Sequence, residues 1–309
     1  MSAVPKTTID WFRFRTRAQV PEVIEALRPL FGFLGKHLHT RHLPHGTMGF
    51  KQACSIVLLD VVVGRMDYGG ESQREWVRVE LFGKGCEWVT NWDDIDLVET
   101  LAACELRRSD LALTTWQNEV THDQLVYAHG AGRFVTSGRP PKLRQIVSSD
   151  PKDGRTCYVG ERKNAAKMLR GYERGLKIAS EAPNAMLVTH IDGHVVEGIY
   201  RVEVELKAQD DPIPWEVIDR RDQYFAGSYP FCADILPGVQ ADILMRRPER
   251  APQLDLDFAL ANCRIQYGQT LYTALRAYGG DIGAVWDRIV GDHHNKAMVE
   301  AGVLMVEHD

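Results

Sequence analysis

Hydrophobic and polar positions alternate from Asp10 to Arg15, with Asp10, Phe12 and Phe14 on one side and Trp11, Arg13 and Arg15 on the other. That two-residue period predicts a half-buried strand. Pro21 then opens a stretch in which Val23, Ile24, Leu27, Leu30 and Phe31 recur at helical spacing, with proline suited to the first turn. Residues 54 to 63 read as one buried strand and Trp76 to Phe82 as a second, joined in a hairpin around Gly69-Gly70. Acidic first-turn residues followed by Ile95, Leu97, Val98 and Leu101 predict a helix over 93 to 104, and a strand follows from Arg108 to Thr114.

Thr121 to His129 suits a short helix capped by Thr121, after which residues 130 to 154, dominated by Gly, Pro, Ser and Lys, read as an exposed, mobile connection. Strand character returns at 156 to 160, 186 to 191 and 199 to 207; a helix starts at Pro214, and beyond Asp255 the period is helical up to Gly279-Gly280. Strands and helices interleaved by hairpin-length links predict an α+β fold with a largely antiparallel central sheet, flanking helices and a helical C-terminal segment. The expected division is 1–250 for the main domain and 251–309 for the helical segment packed on it.

The length of 309 residues allows one large domain or two fused ones, and 44% apolar with 26% charged residues excludes disordered and fibrous classes. No apolar run is long enough to span a bilayer, and the first ten residues lack a secretory layout, so the expected compartment is the cytoplasm. Six cysteines without paired spacing read as small buried hydrophobes. The net charge of −5 opposes a nucleic-acid partner, but it hides a segment. Between Arg133 and Lys177 twelve basic residues face four acidic ones, which predicts a phosphate-binding surface on an acidic body.

Three elements carry candidate chemistry. The strand Tyr200 to Lys207 places Arg201, Glu203, Glu205 and Lys207 on one face, and two carboxylates on one pleat suit a hard cation such as Mg²⁺ or Mn²⁺. The strand Arg108 to Thr114 shows Arg108, Asp110, Ala112 and Thr114 together. The third, Lys167 to Gly175, has two readings: extended, it sets Tyr172 between Arg170 and Arg174; helical, it makes Tyr172 part of an apolar stripe.

In this order the three pieces resemble the Rep_trans type of rolling-circle replication initiator of plasmids, conjugative elements and filamentous phages. The resemblance rests on Arg108-Ser109-Asp110-Leu111-Ala112; on Tyr158-Val159-Gly160-Glu161-Arg162 with Arg170-Gly171-Tyr172-Glu173-Arg174; and on Arg201-Val202-Glu203-Val204-Glu205-Leu206-Lys207. Asp10-Trp11-Phe12-Arg13-Phe14, Gly83-Lys84-Gly85-Cys86 and Phe225 to Phe231 look like the filamentous-phage branch, and the likeness covers roughly residues 10 to 275.

The resemblance implies a metal-dependent DNA nickase-ligase that attacks one strand of an origin with a tyrosine. The products would be a 5′-phosphotyrosine and a free 3′-OH. It assigns Tyr172 as nucleophile, with Arg170, Arg174 and Lys207 beside it, and Asp110, Glu203 and Glu205 around Mg²⁺ or Mn²⁺. Arg162, Lys163, Lys167, Arg144 and Lys142 of the basic segment would track DNA. Implied partners are single-stranded or extruded origin DNA, a host helicase and a polymerase, with no membrane and with room for a homodimer. Thr114 stands where plasmid members carry a second Asp, and Arg174 where a Lys is usual. Neighbouring cations are expected to lower the pKa of the tyrosine from its ordinary ~10.

Two rivals follow from the residues. His37-Leu38-His39, with His42 and His45, has the His-hydrophobe-His form of the other rolling-circle nickase class. A DNA-binding regulator that keeps the scaffold without cleavage is the non-enzyme alternative.

Overall fold

The computed structural model describes residues 6–73, 75–136, 138–162, 165–182, 188–209, 211–243 and 256–294. They contain strands β1 (Thr8–Thr16), β2 (Leu38–Leu43), β3 (Gln52–Leu58), β4 (Val61–Tyr68), β5 (Val77–Leu81), β6 (Glu105–Thr115), β7 (Leu143–Val147), β8 (Arg155–Val159), β9 (Lys167–Tyr172), β10 (His190–Ile191), β11 (His194–Val195) and β12 (Tyr200–Lys207). The α-helices are α1 (Val20–Leu27), α2 (Gly83–Glu87), α3 (Asp96–Glu99), α4 (His122–Gly130), α5 (Arg174–Glu181), α6 (Glu216–Asp219), α7 (Arg221–Ser228), α8 (Pro230–Ile235), α9 (Leu256–Ala277) and α10 (Ile282–Ile289). The chain divides into compact units Met1–Met245 and Arg246–Asp309. In the second unit α9 and α10 contact each other, and the Asp281 carboxylate caps α10 by accepting from the Ala284 N–H.

Ten strands of the first unit form one sheet in the order β2-β3-β4-β5-β1-β6-β12-β9-β8-β7, with neighbouring strands antiparallel throughout. The class is α+β. Alternation gives the sheet two unlike faces. Phe12 and Phe14 of β1, Leu111 of β6, Leu169 of β9 and Val202, Val204 and Leu206 of β12 belong to the buried core. Trp92 and Trp215 pack against Phe12 from the covering helical segments. The opposite face carries the charged members of the same strands.

Several boundaries differ from the sequence expectation. The run 54–63 is two strands, because Leu59 and Asp60 both take positive φ (46° and 67°) and close a two-residue hairpin turn. The Gly69-Gly70 link joins β4 to β5 instead. Helical structure over 93–104 shrinks to a 3₁₀ turn at Trp92–Ile95 and the single turn α3, leaving Leu97 half exposed. The stretch 130–154 is not all loop: Leu143–Val147 is the edge strand, paired with β8. Residues 186 and 187 of the strand expected over 186–191 lie outside the described residues; of the rest only His190–Ile191 is extended, in a small hairpin with β11. Lys167 to Tyr172 is extended, and the helix starts at Arg174. Of the cysteines, Cys104 is only half-buried and Cys263 is exposed.

Gly171 shows how closely the site strand is held. A Cβ there would lie 2.4 Å from Leu125 Cδ1 of α4 and 2.7 Å from the Tyr200 hydroxyl. Gly171→Ala is expected to destabilise the protein by about 1–3 kcal/mol through overpacking. A drop in melting temperature checks this; an unchanged melting curve would mean that α4 yields freely.

Candidate active site

Strands β6, β12 and β9 lie side by side, and their register sets the site. Glu205 pairs with Asp110 and Met168, Glu203 with Ala112 and Arg170, and Arg201 with Thr114 and Tyr172. The side chains singled out on three distant segments therefore share one face. A cleft of about 190 Å³ opens there, and its lining includes Asp10, Trp11, Asp110, Arg170, Glu203 and Glu205.

Tyr172 is 5% exposed, yet its hydroxyl is not enclosed by aliphatics. It donates to Glu203 Oε1 at 2.8 Å. Arg170 holds the other Glu203 oxygen through Nε at 2.9 Å and through Nη2, and its guanidinium lies 4.8 Å from the Tyr172 ring centre. Arg174 Nη1 reaches the phenolic oxygen at 3.5 Å, and its Nη2 contacts Glu87 at 3.3 Å. Lys177 sits 5.3 Å from the ring centre.

These cations do not lower the phenol. Burial and the adjoining Glu203 charge push Tyr172 up to about 12 against the pull of Arg201 and Arg170. The expectation of a cation-activated phenolate is corrected: at neutral pH Tyr172 is a phenol with a carboxylate acceptor in place.

Asp110 is gripped by Arg108 at 2.8 and 2.5 Å. Burial, aided by the Glu205 and Glu203 charges, outweighs that help and pushes its carboxyl up to about 6. Glu205 accepts from Arg108 at 3.0 Å and from Arg162 at 3.2 and 3.0 Å, and pairs with Lys207 at 3.1 Å. Its burial raises the carboxyl, but Arg108, Lys207 and Arg162 together hold it below the ordinary carboxylate range.

Carboxylate oxygens are the right donor type for Mg²⁺ or Mn²⁺. As arranged, though, Asp110, Glu203 and Glu205 are each engaged by guanidinium or ammonium groups. Among the described residues no group of three or more His, Cys, Asp or Glu is disposed to hold a metal ion. The arrangement therefore does not fit a preformed metal site. The buried groups left without partners near the cleft are donors. Trp11 Nε1 and Arg201 Nε have no hydrogen-bond acceptor, Glu203 Oε1 lying 3.2 Å from the latter without hydrogen-bond geometry. Trp11 lines the cleft and Arg201 is tied to its wall through Asp10, and unmet donors beside a cleft suit an anion such as a phosphodiester.

Asp10 and Arg201 were not singled out from the sequence as site residues. Alternation put Asp10 with Phe12 toward the core, but β1 slips register against β6 between Ile9 and Trp11, leaving Asp10 as the extra residue of a bulge. A bulge re-aims its side chain, and Asp10 joins the cleft, accepting from Arg201 Nη2 at 2.7 Å. The open signal was Arg201 itself, on the face of Glu203.

The basic segment is less available than its charge suggested. Lys167 lies on the opposite face of β9 from Arg170, donates to the Ser228 carbonyl at 2.5 Å and sits 4.7 Å from the Tyr229 ring centre. Its assignment to DNA is corrected on that ground. Lys142 pairs with Glu161 on the surface, and Arg162 with Glu205. Arg144 is 4.9 Å from the Tyr158 ring centre, on the site face of the edge hairpin. Lys163 lies outside the described residues. The histidine rival fails on distance: His39 is on edge strand β2, seven strand spacings from β9, roughly 33 Å away at ~4.8 Å per strand. The His39 ring bonds the His37 carbonyl at 3.0 Å.

Residues 104–247 match the family model described as replication initiation factor. No curated protein matches the chain. A solved structure, that of a rolling circle replication initiator protein from Geobacillus stearothermophilus, superposes with a TM-score of 0.55 at 17% identity, covering 78% of this chain and 99% of that one. Among the described residues no helix is long and apolar enough to cross a membrane. The matched region contains β6, β9 and β12, so the strands that carry Asp110, Tyr172 and Glu203 lie in the part of the chain that is similar to the replication initiation factor family, on a fold shared with a rolling-circle replication initiator.

Proposed function

We propose that the cleft nicks and rejoins one strand of origin DNA, with Tyr172 as nucleophile. The observation that carries this reading is the 2.8 Å hydrogen bond from the Tyr172 hydroxyl to a Glu203 carboxylate whose other oxygen is fixed by Arg170. Glu203 takes the phenolic proton as the Tyr172 oxygen bonds to phosphorus. The P–O3′ bond breaks, and the departing O3′ collects a proton from solvent. A phosphotyrosine ester at the 5′ end replaces the phosphodiester that was lost, so the step reverses when a 3′-OH returns. Arg170 and Arg174 neutralise the phosphoryl oxygens, and the unmet Arg201 Nε–H supplies a further donor to them. Asp10 holds Arg201 in place. A divalent ion at Asp110 would have to compete with Arg108 for that carboxylate, and no step here depends on it.

The reading predicts a covalent adduct when the protein meets a pool of single-stranded oligonucleotides with Mn²⁺ present, mapped by mass spectrometry to residue 172. An adduct at Tyr158 would displace the assignment. DNA binding without any adduct would leave the non-cleaving regulator. Against Tyr200 as nucleophile stands its place on the core face, where its hydroxyl is 3.4 Å from His122 Nδ1 and 3.9 Å from Cys157 Sγ.

Arg201→Lys tests the donor role. A lysine keeps the charge but loses the planar fork that serves Asp10 and the phosphate at once. Adduct formation is expected to fall by roughly 10- to 100-fold with oligonucleotide affinity little changed. Equal activity in the two proteins would leave Arg201 a structural ion-pair partner only.

A further inference from the structure

The charged face of the sheet does not end at the cleft. Strand register places Arg41, Ser55, Arg65, Glu80, Arg13 and Arg108 in one row across β2, β3, β4, β5, β1 and β6. The neighbouring row brings Asp67 beside Arg78, and Arg78 beside Arg15. Most of this half precedes the region that matches the replication initiation factor family.

Burial sorts these charges by depth. The Asp67 and Glu80 side chains are 2% and 9% exposed, while Arg65 and Arg13 above them keep 24% and 23%. The acids anchor the arginines from below, so an approaching ligand meets guanidinium groups first. Two of the cations are poorly matched. Arg13 has only a 3.4 Å contact with Glu80; burial lowers its pKa, and Arg78 and Arg108 add to that against the pull of Glu80. Arg41 is exposed on the edge strand and pairs with no acid among the described residues. The half-buried Trp76 ring has Arg15 at 4.1 Å and Arg17 at 5.2 Å from its centre.

We propose that this face, from Arg108 out to Arg41, is a track for single-stranded DNA leaving the cleft. The inference rests on the strand-transfer reading of that cleft. A sheet face carrying pre-set guanidinium groups and an aromatic ring lets a flexible backbone follow it and offers stacking to any base, which is how sequence-tolerant single-strand binders work. The five strand spacings from β6 to β2 span roughly 24 Å, room for about four nucleotides beyond those in the cleft, at the low end of single-strand site sizes.

The test compares oligo(dT) of six and sixteen nucleotides by fluorescence anisotropy across a salt series, using wild type, Arg41→Ala and Arg41→Ala/Arg15→Ala. Neither residue belongs to the cleft machinery. Wild type is expected to bind the longer strand more tightly and with a steeper salt dependence. Each substitution is expected to weaken binding of the sixteen-mer by roughly 3- to 10-fold and to flatten the salt slope by about 0.7 per arginine, the value for single strands. Binding of the six-mer and adduct yield on it should stay at the wild-type level.

Unchanged affinity for the sixteen-mer overturns the track. So does an equal loss on both lengths, or a loss confined to a sixteen-base-pair duplex. Arg41→Glu, an exposed change on an edge strand, should give a larger loss than Arg41→Ala; a smaller one also counts against the proposal. If the sixteen-mer behaves as expected while no Tyr172 adduct ever forms, the cleft reading fails and the track stands.

Discussion

In Tyr172→Phe the covalent protein–DNA adduct is expected to fall below detection, a loss of at least ~10³-fold, while oligonucleotide affinity stays within about threefold of wild type. The chemical part follows from removing the only atom able to bond to phosphorus at that position. The unchanged affinity follows from geometry. The phenol of Tyr172 is turned inward to Glu203, and the guanidinium groups that would contact phosphate belong to other residues. The fold should survive. Glu203 keeps its bonds to Arg170 and its Arg201 contact, and a Phe ring fills the same 5%-exposed space, so the cost is that of one hydrogen bond to a buried carboxylate, about 1.5–3 kcal/mol. Gel analysis of adducts after denaturation, beside a binding isotherm and a melting curve on one preparation, reads all three quantities. An adduct of wild-type yield in the variant would move the nucleophile elsewhere; Tyr158, on the same face one strand away, is the next candidate.

The parts of the site that were legible in the sequence are those where alternation and chemistry coincide. β12 shows Arg201, Glu203, Glu205 and Lys207 at every second position, and no other period explains them. Tyr172 could be read as extended or helical because its segment is both: six extended residues and then a helix beginning two positions later. Asp10 was misread for a sharper reason. A strict two-residue period assumes an unbroken ladder, and the bulge between Ile9 and Trp11 breaks it at that residue.

Charge counting was similarly blind to depth. Lys167 adds to the basic excess of its segment, but it projects from the face of β9 that meets Ser228 and Tyr229. The four arginines of β1, β4 and β5 do not stand out in a charge count because Asp67 and Glu80 offset half of their charge, although those acids lie beneath them in the fold. The effect of environment on Tyr172 was also out of reach. Sequence supplies the neighbouring arginines, but only burial and a carboxylate 2.8 Å away decide that the phenol rises instead of falling.

That last point makes Glu203→Gln the most discriminating change. A glutamine can still accept from the Tyr172 hydroxyl, but it cannot hold the proton. The expected result at pH 7 is a fall of roughly 10²–10⁴ in the rate of adduct formation, the usual range for a lost general base. The pH dependence should change form as well as height. On the proposed reading Glu203 takes the proton in wild type, so the rate near neutrality need not follow the population of free phenolate. In the variant the negative charge that helps push Tyr172 up to about 12 is gone, so its pKa falls. Reaction must then wait for phenolate, and the rate should climb by up to about tenfold per pH unit between pH 7 and 9.5. Stability provides the control. Removing the Glu203 charge leaves Arg170 and Arg201 without it, a loss of roughly 1–3 kcal/mol that lowers the melting temperature at all pH values in that range. A variant that melts lower yet keeps the wild-type rate and profile would show that Glu203 clamps the site without taking the proton, and the base would have to be sought outside the Tyr172–Glu203 bond.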